Sequence, residues 1–72
     1  MKNSKLVQFV KQRRKELNLT QVQLSQKSGV GLKFIRDLEQ GRDGLRMSKV
    51  NQVLALFNAE LGPVCINRKD EE

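Results

Sequence analysis

Histidine, tryptophan and tyrosine are absent from this chain, cysteine and proline each occur once, and phenylalanine occurs three times. Each absence removes a class of chemistry. Without histidine there is neither a side chain titrating near neutrality to act as a general base nor the commonest metal ligand. A single cysteine excludes an internal disulfide and fits a reducing compartment. Cys65 has no plausible activating partner, so it reads first as a small buried apolar residue, ahead of a redox-sensing thiol or a bridge between two copies. No glycine-rich phosphate loop follows a strand. No apolar run approaches the roughly 20 residues needed to span a bilayer, and no signal peptide is visible. The expectation is a soluble protein of the cytoplasm that binds rather than catalyses. No catalytic residue, cofactor, metal, small-molecule substrate or membrane partner is expected.

What the chain does have is positive charge. Fourteen lysines and arginines face eight acidic residues in 72 positions, for a net charge of +6. Three of the acids are Asp70, Glu71 and Glu72, so residues 1–66 hold twelve basic and five acidic residues, a net of +7. A positive body attracts polyanions, and low aromatic content favours duplex DNA over a stacked single strand. The length allows one small domain. A chain of this size buries only about 60% of its unfolded surface, and with neither disulfide nor metal to help, self-association is the expected support.

Apolar spacing marks four helical segments between residues 5 and 58, separated by turns and a loop. Leu6, Val7, Phe9, Val10 and Leu17 define a first helix, with Lys11, Arg13, Arg14 and Lys15 toward its C-terminal half, where cations complement the helix dipole, and Asn18 as a left-handed terminator. Thr20 is an N-cap candidate, and Gln23 three residues later completes a capping-box pattern. A second helix then runs over residues 21–28, Gly29 and Val30 turn the chain, and a third helix begins near Gly31 and stops by Gln40 at Gly41. Ser25 is small where two helices must approach. Residues 42–46 read as a loop. Met47, Val50, Val53, Leu54, Leu56 and Phe57 define a fourth helix ending near Asn58, whose apolar face is expected to close against the first helix.

The segment from Leu61 through Gly62, Pro63, Val64, Cys65 and Ile66 carries β-branched residues and two helix breakers, and is expected to be extended. A lone strand leaves its backbone groups unpaired, so the economical solution is the same strand from a second copy, antiparallel about a two-fold axis. The bland alternative is a tail laid over the fourth helix. The chain thus divides into a helical domain (1–58), a dimerisation strand (59–67) and a charged tail (68–72).

Residues 20–41, TQVQLSQKSGVGLKFIRDLEQG, combine two short helices, a small residue at their crossing, a turn glycine and a terminal EQG. With the preceding RRKELNL, this stretch resembles the Cro and repressor superfamily of helix-turn-helix proteins, the XRE family, and within it the HipB-type antitoxins. The likeness covers about Leu6 to Phe57. It implies an all-α, four- to five-helix, lambda-repressor-like domain with a short C-terminal strand pairing across a dimer. It further implies that Thr20 and Gln21, opening the second helix, hold the phosphate backbone. Arg14 is implied to pair with Glu39 and to reach a phosphate, and Arg42 and Arg46 to face the backbone. Gly31, at the start of the recognition helix, joins the phosphate-facing positions and departs from the more usual polar residue there. Leu61, Val64, Cys65 and Ile66 carry the implied dimer contact.

On the third helix the outward residues are Leu32, Lys33, Arg36 and Asp37. Arg36 and Lys33 suit the O6 and N7 acceptors of guanine, Leu32 a thymine methyl, and Asp37 either accepts from cytosine or orients Arg36. The bland alternative for Lys33 and Arg36 is a solvated helix face. Phe34 is unusual if exposed and is expected to wedge against the DNA edge or the protein. The expected function is a homodimeric, nucleoid-associated repressor reading an inverted repeat, with two recognition helices about 34 Å apart. The HipB likeness implies an antitoxin whose partner is a HipA-like kinase toxin. A stand-alone phage-type or restriction-modification controller is the alternative, and a protein-binding adaptor that has lost DNA a more distant one.

Overall fold

A computed structural model of the chain describes residues 4–63, and within them four helices follow one another: α1 (Lys5–Glu16), α2 (Gln21–Ser28), α3 (Leu32–Glu39) and α4 (Met47–Ala55). No fifth helix and no strand is present among the described residues. Ser4 caps α1 by accepting the Val7 N–H at 3.2 Å. The capping box of α2 is complete: Thr20 Oγ1 accepts the Gln23 N–H at 3.0 Å, and Gln23 Oε1 accepts the Thr20 N–H at 2.9 Å.

The helix ends explain the tight connections. After α1, Asn18 sits at φ 57, and its N–H and that of Leu19 return to the carbonyls of Lys15 and Arg14, both at 3.0 Å. After α3 the same pattern recurs with Gly41 at φ 77: Gly41 donates to Leu38 and Arg42 to Asp37, both at 3.1 Å. A left-handed residue that satisfies two terminal carbonyls in this way reverses the chain within one turn. Beyond α4 the chain makes a third such reversal, with Asn58 at φ 57 and Ala59 donating to Leu54 at 3.0 Å.

Val10, Leu24, Val30, Ile35, Leu38, Val50, Val53, Leu54 and Phe57 form the buried core. Leu24, Ile35 and Leu38 are wholly excluded from solvent, which for side chains of this size stabilises the fold by about 1.5–3 kcal/mol each. α3 packs on both α1 and α2, whereas α4 packs mainly against α2. α4 also closes on α1, though less extensively: Val10 of α1 shares the buried core with Val53 and Leu54 of α4, and Leu54 lies beside Leu6 and Phe9. The first helix further meets the turn beyond α4, where the Phe9 and Phe57 rings lie edge to face with centroids 6.2 Å apart. Phe9 and Leu17 of α1 and Met47 of α4, among the apolar residues whose spacing defines those helices, are exposed.

Past Asn58 the described chain is irregular. Leu61 is half-buried against its own core, and its N–H donates to Asn51 Oδ1 at 2.7 Å. That donor serves its own chain, so the expectation that Leu61 joins a partner strand is corrected in favour of a tail lying on α4 at this residue. Val64, Cys65 and Ile66, the rest of the expected strand, lie outside the described residues. No helix among the described residues is long and apolar enough to cross a membrane.

Candidate nucleic-acid interface

The α2–α3 corner is built from four small features of the sequence. Gly29 ends α2 at φ 83, a conformation that costs an L-residue roughly 1–2 kcal/mol. A Cβ there would also meet Gln52 Nε2 at 2.9 Å. Gln52 reaches from α4 to donate to the Ser28 carbonyl at 2.9 Å, so an α2 terminal carbonyl is satisfied from another helix. Ser25 Oγ donates to the Val30 carbonyl, and Val30 is buried, which fixes the start of α3 against α2.

A second tie holds the other end of α3. Glu39, its last residue, is 4% exposed, and its carboxylate receives Arg14 Nε at 2.7 Å and Nη2 at 3.0 Å. Arg14 Nη1 donates to the Leu19 carbonyl at 2.9 Å, and Gln21 Nε2 joins Glu39 at 3.1 Å. One buried carboxylate therefore binds α1, the start of α2 and the end of α3 together. The expected Arg14–Glu39 pairing is present. The expected reach of Arg14 to a phosphate is corrected: its side chain is 15% exposed, and all three of its nitrogens are engaged within the protein. Gln21, also expected at the backbone, is half-buried and points its amide at Glu39. No sequence signal marked the Gln21 contact, which arises because two helix termini converge on one acid.

With both ends of α3 tied, its outer side is displayed. Ile35 and Leu38 point inward, and Phe34 is half-buried and packs against the core, so it wedges against the protein. Lys33 and Arg36 are exposed, Leu32 half-exposed. The Arg36 side chain makes no hydrogen bond or ion pair with any described residue. Asp37 does not orient it. Its Oδ2 lies 3.0 Å from Lys33 Nζ and its Oδ1 3.2 Å from Arg42 Nε, which corrects that expectation. The Lys33–Asp37 pair has the i, i+4 spacing of a helical ion pair, a signal the sequence reading passed over. The Arg42 contact was missed, although the Gly41 reversal returns residue 42 over Asp37.

Around this face lie further donors. Thr20 Oγ1 accepts the cap hydrogen bond and keeps its own O–H for an outside acceptor. Gly31 opens α3 with no side-chain cap, and no atom lies within 4 Å of the position its Cβ would occupy. Arg46 is exposed and opens α4. Between α3 and α4 a cleft of about 290 Å³ has Phe34 and Leu45 in its wall and Lys33, Arg46 and Lys49 beside them. A surface of exposed cations flanking one projecting helix, with backbone N–H groups open at helix starts, suits a polyanion with a regular groove.

Comparison with known proteins agrees with this architecture. A helix-turn-helix family model matches residues 10–63. The chain is 54% identical over 48 residues to a protein of Sinorhizobium fredii (strain NBRC 101917 / NGR234) described as the uncharacterized HTH-type transcriptional regulator y4mF. That match covers 67% of this chain and 63% of the relative's length. No solved structure gives a significant match. The corner at Gly29, the buried tie at Glu39 and the family match over three quarters of the chain agree: this chain belongs to the helix-turn-helix family.

Proposed function

We propose that this protein is a sequence-specific, DNA-binding transcriptional repressor. The observation that carries the reading is the division of α3 into a buried side at Ile35 and Leu38 and an exposed side at Lys33 and Arg36, held by ties at both ends. A helix so fixed fits the major groove, where Arg36 and Lys33 meet guanine acceptors and Leu32 a thymine methyl. Thr20, Gly31, Arg42 and Arg46 surround it as phosphate contacts, and Gln21 contributes chiefly its backbone N–H at the start of α2. The relative's description as a transcriptional regulator supports the same reading. The test is selection from a pool of randomised duplexes. A preferred sequence recovered by the wild-type protein, lost in Arg36→Ala, supports it, and salt-independent or absent binding refutes it.

In this reading the working unit is a homodimer on an inverted repeat, joined through residues 64–66 of each copy. The protein acts in the cytoplasm on chromosomal DNA, and it is most like a HipB-type antitoxin that also binds a HipA-like kinase toxin. The family likeness and the tail composition support the antitoxin reading. The relative's description favours the alternative of a stand-alone regulator, since it names transcription alone. Co-purification with a kinase encoded beside this gene separates the two. The adaptor reading loses ground because Phe34, one of the two apolar residues that would form its docking patch, packs against the protein's own core.

A further inference from the structure

We propose that Asp37 sets sequence discrimination by restraint: its carboxylate holds Lys33 off the phosphates and fixes Arg42, so that duplexes of the wrong sequence bind more weakly than the cation count alone would give. The inference rests on the DNA-binding reading above and concerns how that surface chooses among duplexes.

Asp37 lies among the cations displayed on and beside α3, and each of its two oxygens faces one of them. Oδ2 takes Lys33 at 3.0 Å and Oδ1 takes Arg42 at 3.2 Å. The Asp37 side chain is 20% exposed, against 89% for Lys33 and 64% for Arg42, so the acid is the more enclosed member of both pairs. Besides that ion pair, the Arg42 backbone N–H donates to the Asp37 carbonyl at 3.1 Å, and its single Nε–H donates to Gln40 Oε1 at 3.3 Å. A residue returning over the last turn after a left-handed glycine commonly makes an apolar contact there, and this chain places an ion pair instead. Arg36, one residue before Asp37, is left unrestrained by any described residue.

The consequence follows from exchange. An unpaired lysine gains attraction wherever a phosphate comes within reach, whatever the sequence. Lys33 must give up a carboxylate to do so, and replacing one anion by another gains little. The base contact of Arg36 involves no such exchange, and Lys33 gives up the carboxylate with profit only where a guanine offers its two acceptors. Restraint by Asp37 therefore lowers affinity for arbitrary duplexes more than for the preferred one.

The test compares wild-type protein, Asp37→Asn and Asp37→Glu on the duplex selected by the wild type and on a scrambled duplex, between about 50 and 200 mM salt. Asp37→Asn is expected to bind the scrambled duplex about two- to fivefold more tightly at low salt, the range an exposed ion pair accounts for. Its salt slope should steepen by about 0.9 for each cation released. Affinity for the selected duplex should rise less, so their ratio falls, and Asp37→Glu, which keeps the carboxylate, should match the wild type. In a Lys33→Gln background the effect of Asp37→Asn on the scrambled duplex should shrink. If Asp37→Asn disturbs folding, Lys33→Gln carries the test alone and should cost less scrambled-duplex affinity than Arg46→Gln. Unchanged slope and ratio in a folded Asp37→Asn protein, or equal losses in Lys33→Gln and Arg46→Gln, overturn the inference and leave the DNA-binding reading standing. A wild-type protein with no salt-dependent binding to any duplex overturns both.

Discussion

Glu39 at the end of α3 and Arg14 in α1 are joined by two parallel hydrogen bonds, 2.7 and 3.0 Å long, inside a site that leaves the carboxylate side chain 3% exposed. Burial makes the pair more consequential than a surface bridge, because removing one member strands the charge of the other. Arg14→Met should therefore destabilise the domain by about 3–5 kcal/mol, measured by urea denaturation. The double variant Arg14→Met, Glu39→Leu should recover much of that loss, since no unpaired charge remains.

Arg36→Ala tests the opposite kind of residue. Arg36 is exposed and unpartnered among the described residues, so the melting temperature should hardly change. Affinity for the selected duplex should fall by about 1–3 kcal/mol, and discrimination at one base position should relax. Arg46→Ala should instead weaken all duplexes alike and reduce the salt slope by about 0.9.

Gly29→Ala places a side chain at φ 83 and meets Gln52 Nε2. The amide is the end of a flexible side chain and can yield, so the backbone conformation sets the cost, roughly 1–2 kcal/mol. The double variant Gly29→Ala, Gln52→Ala should therefore be no more stable than the single one in thermal melts.

Those residues also show how far sequence alone carries. Thr20 with Gln23, and Gly29, Gly41 and Asn18 at their reversals, were legible because each acts on backbone within a few positions. Ile35 and Leu38 were legible because spacing of three along a helix puts them on one side. Spacing could not tell which of several apolar residues on α1 finds a partner. Both Phe9 and Leu17 fit the pattern, yet Leu17 is left exposed while Phe9, at the surface, sets its ring against Phe57. The same limit hid Gln21 on Glu39 and Gln52 on Ser28, contacts between helices far apart in sequence. At the candidate site the cations and the Arg14–Glu39 pair were legible, and the partners of Lys33 and Arg42 were not.

Ile35→Ala offers the simplest measure of the core. Removing a fully buried branched side chain between α1, α2 and α3 should cost about 2–5 kcal/mol in chemical denaturation. In a domain of marginal stability that loss should leave a large unfolded population at 37 °C.

Deleting residues 64–72 separates dimerisation from folding. Leu61 and its hydrogen bond to Asn51 are kept, so the helical domain should remain folded by circular dichroism. Sedimentation should show a monomer, and binding to an inverted repeat should weaken sharply. A truncated protein that remains dimeric at low concentration would remove the proposed role of residues 64–66.

Open space around Gly31 and solvent around Lys33 and Arg36 mean that the positions nearest the proposed target contribute little to the interior. Mutations there are nearly free of thermodynamic penalty, whereas Ile35, Leu38 and Glu39 are not. Lineages carrying this scaffold can thus drift to new targets by altering a few peripheral codons, with the architecture inherited intact.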